Sequence, residues 1–169
     1  MISEVEKKQS HSTIDREIRA YVKKIAKHSL LKTDKNSLTY SDFFENKMLI
    51  IHAIREGFPY KLFNKIKELT PFTEDDWAEY LNVSKKTLHR HSTNDNYLFK
   101  PIHTEKIIEL AEVTNLGKEV FDTIEQFYIW LNTPSFALGN LKPAELLKDS
   151  YGKELVMNEL NKIEYGILA

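Results

Sequence analysis

No cysteine occurs in the chain, which excludes disulfides, thiol catalysis and thiolate metal sites, and fits a cytoplasmic protein. Glycine and proline are also scarce, at five each in 169 residues, so the chain has few obligatory breaks. No apolar run approaches the roughly 18–20 residues that a membrane helix needs. The opening "MISEVEKKQSHST" has none of a signal peptide's apolar stretch. No phosphate-cradling glycine loop and no Gly-x-Ser-x-Gly elbow is present. The histidines, His11, His28, His52, His89, His91 and His103, show no zinc spacing; His89 and His91, two apart on a predicted helix, point to different faces. The expectation is therefore a protein with no catalytic residue, no metal, no cofactor, no small-molecule substrate and no membrane partner, and hence not an enzyme.

An excess of one charge is missing as well. The net charge is −1, and it hides a gradient. Residues 1–72 carry 14 Lys/Arg against 9 Asp/Glu, whereas 73–115 and 116–169 each carry 5 against 8. A globally basic nucleic-acid binder is excluded, and any DNA contact has to come from a local patch.

What is present is a core-forming composition, 41% apolar and 29% charged. Apolar residues recur at helical spacing and alternating runs are rare, which predicts an all-α fold. The first helix is expected over about 13–29, capped by Ser12 or Thr13, with Ile14, Ile18, Tyr21, Val22 and Ile25 as its apolar stripe. "LKTDKNS" (31–37) reads as a linker. A second helix is expected over 41–56, capped by Ser41, stopped by Gly57 and facing inward with Phe44, Met48, Ile51 and Ile54 or Arg55. Pro59 opens "YKLFNKIKEL", and Pro71 ends it. Further helices are expected near 102–114 and 117–131, the latter with Phe121, Ile124, Phe127, Tyr128 and Leu131 as apolar positions. "NTPSFALGN" (132–140) reads as a loop, Pro143 as the start of a short helix, Gly152 as a turn or cap between helices, and about 151–164 as the last helix. In that helix Leu155, Val156, Leu160 and Ile163 are expected in the core.

One stretch carries a functional signal. "FTEDDWAEYLNVSKKTLHRH" (72–91) has the layout of a helix-turn-helix. Ala78 is the small residue facing the second helix. Asn82 takes the turn position that needs positive φ. Trp77, Leu81, Val83 and Leu88 supply apolar anchors. Thr73 caps the first helix ahead of Glu74, Asp75 and Asp76, and Ser84 caps the second. The DNA-facing candidates are Ser84, Lys85, Lys86, Thr87, His89 and Arg90, with Arg90 suited to a guanine edge and the lysines to phosphates. A plain helical hairpin with a solvated basic face fits the spacing equally.

The second half, "FYIWLNTPSFALGNLKPAELLKDSYGKELVMNELNKIEYGILA" (127–169), resembles the toxin-binding domain of the Xre/MbcA/ParS antitoxins. Trp130-Leu131, the 132–140 loop, "KPAELL", Gly152 and "IEYG" carry the resemblance. "REGFPYKLFNKI" and "KTLHRH" resemble the stretch before, and the recognition helix of, that family's Xre-type helix-turn-helix. Together the likeness covers about 40–169, with Asn82 and a long polar loop after Arg90 as departures. It implies a type II antitoxin that pairs with an NAD-consuming RES-domain toxin, forms a homodimer and binds operator DNA to repress its own operon.

The expected organisation is an N-terminal helical extension at 1–36, an Xre-like helix-turn-helix and dimerisation domain at 37–115, and a toxin-binding domain at 116–169. The toxin-contacting candidates are Glu164, Tyr165, Gly166, Ile167, Leu168 and Ala169 past the last helix, with Asn140 and Lys142 from the preceding loop. A stand-alone helix-turn-helix regulator whose second half only dimerises is the alternative. An adaptor with a vestigial DNA module is a third.

Overall fold

The structure is a computed structural model that describes residues 4–25, 37–94 and 96–167, with side chains described from Thr13 onward. The linker expected at 31–37 lies outside the described residues except for Ser37, as do Leu168 and Ala169. The described residues form ten α-helices and one 3-10 turn, in keeping with the expected all-α fold. They are α1 (Glu4–Ile25), α2 (Tyr40–Glu45), α3 (Lys47–Glu56), α4 (Tyr60–Leu69), α5 (Glu74–Tyr80), α6 (Lys85–Ser92), α7 (Pro101–Val120), α8 (Ile124–Leu131), α9 (Pro143–Leu146) and α10 (Ser150–Glu164), with the 3-10 turn at Phe136–Leu138. None of them is long and apolar enough to cross a membrane. They gather into two compact units. The first takes the chain up to Glu68 together with His91–Glu105, and the second takes Leu69–Arg90 and the chain from Lys106 onward.

In the first unit, α1 packs on α2 and α3. Its expected stripe is buried at every position from Ile14 to Ile25. The helix begins at Glu4, upstream of the expected cap at Ser12 or Thr13, so those residues lie inside it. Tyr21 reaches over α3, its hydroxyl within hydrogen-bonding distance of the Ala53 and Gly57 carbonyls (3.1 and 3.0 Å). Burial pushes that phenol well above its usual pKa.

The single helix expected at 41–56 is two helices. Thr39, not Ser41, caps α2 in a capping box with Asp42. Asn46 then ends α2 and caps α3 by accepting from the Leu49 amide at 3.0 Å. The inward stripe is offset by one residue from the expected one on both sides of that break. Phe43, Leu49, Ile50 and Ala53 face the core, while the expected Met48 and Ile51 are exposed. Gly57 does end α3, at φ +82. Phe43, Phe58, Phe63 and Phe99 are buried, and Tyr21 meets Phe58 edge-on at 5.2 Å.

In the second unit the core is Trp77, Leu81, Leu88, Ile107, Leu110, Ala111, Phe127, Leu131, Leu147, Val156 and Leu160. The helix expected to start at 117 does not exist as such. Helix α7 runs through Gly117 to Val120, and α8 starts only at Ile124, capped by Thr123. Gly117 is tolerated mid-helix because the Phe127 ring lies where any Cβ would be. A glycine that reads as punctuation is a close-packing site.

Candidate interfaces: the helix-turn-helix and the segment 132–167

The α5–α6 hairpin forms as its local rules dictate. Thr73 accepts from the Asp76 amide at 3.2 Å, and Asp76 accepts from the Thr73 amide at 2.8 Å, a reciprocal capping box. At the turn, Asn82 stands at φ +50, the left-handed conformation its position requires. The Val83 amide donates to the Ala78 carbonyl at 3.0 Å, closing the turn on the small residue. Trp77, Ala78, Leu81 and Leu88 are buried, and Val83, the remaining expected anchor, is half-buried. Ser84 caps α6 by accepting from the Thr87 amide at 3.0 Å, and the Ser84 and Thr87 hydroxyls bond each other at 2.9 Å.

Of the DNA-facing candidates, Lys86, His89 and Arg90 stand exposed on α6, and Thr87 is half-buried. Lys85 is exposed too, but its ammonium pairs with Asp75 at 2.7 Å, and that hydrogen bond raises its pKa. The pair is mostly solvated, so it contributes little to stability and costs little to break. The hydroxyls of Ser84 and Thr87 take part in the cap, and Lys86, His89 and Arg90 are the exposed polar set of this helix.

The same unit carries the loop and α10. The 3-10 turn packs on α10, as does α9, and α9 also contacts α8. Two bonds tie this end to the hairpin. The Tyr80 hydroxyl donates to the Ala144 carbonyl at 3.0 Å, and Lys148 pairs with Glu79 at 2.7 Å. Burial drives the Tyr80 phenol well above its usual pKa, with the charges of Asp76 and Glu79 adding to it. Polar links from α7 fix α9 and α10. Lys106 donates to the Leu147 carbonyl at 3.0 Å, Ser150 to Glu109 at 2.6 Å, and Lys153 to Glu112 at 2.6 Å.

Gly152 lies inside the first turn of α10, capped by Asp149, and is neither a turn nor a cap. It is buried against the Leu146 backbone, where an added Cβ would strike the carbonyl oxygen. On α10, Val156 and Leu160 are buried and Ile163 is half-buried, whereas Leu155 is 52% exposed. Adjacent residues on a helix lie about 100° apart, so Leu155 turns outward when Val156 turns in.

The candidates past α10 are held by a specific cap. The Gly166 amide donates to the Ile163 carbonyl at 3.1 Å and the Ile167 amide to the Lys162 carbonyl at 2.8 Å. With Gly166 at φ +66, this pair of bonds is a Schellman motif. Tyr165 and Ile167, 73% and 62% exposed, are directed away from the core by it. Glu164 is the last residue of α10 and exposed. Leu168 and Ala169 lie outside the described residues. Asn140 stands exposed at φ +62 in the loop, and Lys142 is the half-buried residue that precedes α9.

Two family models match this layout. The "Antitoxin Xre-like helix-turn-helix domain" matches residues 49–112, and the "Antitoxin Xre/MbcA/ParS C-terminal toxin-binding domain" matches 116–166. Together they span more than half of the chain. The chain belongs to the Xre/MbcA/ParS antitoxins. It is 22% identical over 122 residues to the curated "Antitoxin Xre" of Yersinia enterocolitica (serotype O:8 / biotype 1B), a match covering 72% of this chain and 82% of that protein. Its fold is similar to that of a chain in the crystal structure of the M. tuberculosis MbcT-MbcA toxin-antitoxin complex, with a TM-score of 0.53 and 20% identity. That likeness covers 63% of this chain and 94% of the other. A family of antitoxins is one of binding proteins, so the antitoxin acts by contact, not by catalysis.

Two exposed residues of the matched toxin-binding segment escaped the sequence reading. Phe136 is 89% exposed on the 3-10 turn, and Tyr151 is 85% exposed on α10, one turn before Leu155. The signal available was weak. Phe136 sits in a loop with no periodic partner, and Tyr151 lies in the first turn of a helix whose expected inward positions begin only at Leu155.

Proposed function

We propose that the antitoxin neutralises an NAD-consuming RES-domain toxin by steric occlusion, using residues 116–169. The segment from Glu164 to Ala169 enters the mouth of the toxin's active site, with Asn140 and Lys142 as flanking contacts. Residues 37–115 form a homodimer and set Lys86, His89 and Arg90 of α6 into operator DNA to repress the operon. Lys85 joins them by releasing Asp75 to meet a phosphate, while Ser84 and Thr87 serve through the cap that orients the helix. Reading operator DNA places this work in the bacterial cytoplasm.

The observation that carries the reading is the exit from α10. Tyr165 and Ile167 are exposed apolar groups on a backbone held by two cap bonds, inside a segment matched by the toxin-binding family model. Large exposed apolar groups with no packing role mark contact surfaces. The test is co-purification with the product of the neighbouring gene, with NAD consumption followed with and without the antitoxin. The expected result is a complex in which NAD loss stops. An unrelated neighbour, and no rescue of a toxin by this chain, would sink the reading.

The exposed polar face of α6 favours one second reading, a stand-alone regulator whose second half only dimerises. It predicts operator binding at full strength with no toxin partner to be found.

A further inference from the structure

The second unit shows more apolar surface than an occluding tail accounts for. Phe136, Tyr151 and Leu155 precede that tail by at least nine residues of helix, yet all are exposed. The turn that bears Phe136 is a built frame. The Ser135 amide donates to the Leu141 carbonyl at 3.1 Å and the Asn140 amide to the Ser135 carbonyl at 2.8 Å. The Gly139 amide adds a bond to the Phe136 carbonyl at 3.0 Å. Closing it takes two consecutive left-handed residues, Gly139 and Asn140. The frame lies on α10, where Tyr151 and Leu155 are one turn apart on a shared face. The backbone that bears the ring is ordered in advance, which lowers the entropic cost of using it as a binding anchor. Aromatic groups presented so are the side chains that dominate interface energetics.

We propose that Phe136, with Tyr151 and Leu155, forms an anchor that grips the body of the toxin, separate from the segment that blocks its active site. The inference rests on the toxin-binding reading above and deepens it. The occupant follows from continuity, since all three residues lie inside the matched toxin-binding segment. Its chemistry follows from the three side chains, which are large, apolar and exposed. The complementary site on the toxin is an apolar pocket.

Anchoring and blocking make different demands on an inhibition curve. Losing the anchor lowers affinity but leaves full inhibition within reach at high antitoxin concentration. Losing the blocking segment leaves binding but removes inhibition even at saturation. The experiment titrates the RES toxin encoded beside this chain with wild type, Phe136→Ala, and a Tyr151→Ala/Leu155→Ala double variant. It follows binding by calorimetry, inhibition by NAD consumption, folding by thermal melting and self-association by sedimentation. The expected result for Phe136→Ala is an unchanged melt and an affinity about thirtyfold lower, with complete inhibition recovered in excess. The double variant behaves likewise. Wild type that binds beside variants binding within about twofold of it overturns the anchor alone. A variant that shifts sedimentation while toxin affinity stays put assigns the face to a second copy of this chain, and also overturns it. Wild type that fails to bind overturns the RES reading, and the anchor falls with it.

Discussion

The α6 face and the 136–167 surface sit in one compact unit and are opposite in kind. On α6 the outward groups are Lys86, His89 and Arg90, and its hydroxyls are spent on its own cap. On the other surface the outward groups are Phe136, Tyr151, Leu155, Tyr165 and Ile167. A partner met through the first is held by charge and is sensitive to salt. A partner met through the second is held by burial and is not. Two functions assigned to one small protein therefore have different physical signatures, and each can be removed without the other.

The largest expected effect removes the distinction altogether. Trp77→Ala, at a fully buried position in the hairpin, should cost about 3–5 kcal/mol. Chemical denaturation should show it, with DNA and toxin binding lost together. Gly152→Ala should be milder, about 1–3 kcal/mol, because its new Cβ meets backbone that cannot step aside. Its effect belongs on toxin affinity first, since the clash displaces α10 from α9. Mobility shifts that weaken more than toxin binding would break the comparison.

A change on α6 should sharpen it. Arg90→Ala is expected to weaken operator binding by about 1–3 kcal/mol. Lys86→Ala should flatten the salt dependence by about one unit of slope. Toxin affinity should move with neither. Unchanged mobility shifts in the Lys86/Arg90 double variant would remove the recognition-helix assignment.

The smallest effect lies in the first unit. Burial, then the charge of Lys100, holds the His103 imidazole below its ordinary value of 6.5. The unfolded chain then takes up the proton before the folded one does. The stability involved is complete above the unfolded value of about 6.5 and is lost as pH falls through the lower, folded value. Melts taken from about pH 8 down to about pH 5 should show that loss, and His103→Gln should reduce it, while both interfaces keep their affinities at neutral pH.

What the sequence made legible was whatever local rules decide. Thr73 and Ser84 cap because a side-chain oxygen before a helix start has nearby amides to satisfy. Asn82 turns because few residues visit its conformation. The α1 stripe is buried because its period is unbroken from Ile14 to Ile25. The misses had two sources. Asn46 is a local cap inside a stretch that reads as one helix, and the inward stripe there runs through Phe43 and Ile50 and not through Phe44 and Ile51. Gly117 and Gly152 look like stops, yet each makes room for a partner, Phe127 or the Leu146 backbone, that periodicity cannot supply. Leu155 was missed for a related reason, since a large apolar residue beside a buried stripe defaults to core until packing shows it left outside. Phe136 reads only as part of a loop, and nothing local marks it as presented outward.

The central claim is that the segment beyond α10 blocks the toxin. The decisive measurement is NAD consumption by the RES toxin at saturating antitoxin, comparing the whole chain with one lacking 166–169. The truncated protein should melt like the whole chain and bind the toxin, yet leave NAD loss running. If truncation still stops NAD loss, the segment is not the block. If instead the melt collapses, those residues belong to the fold and the occlusion account is wrong.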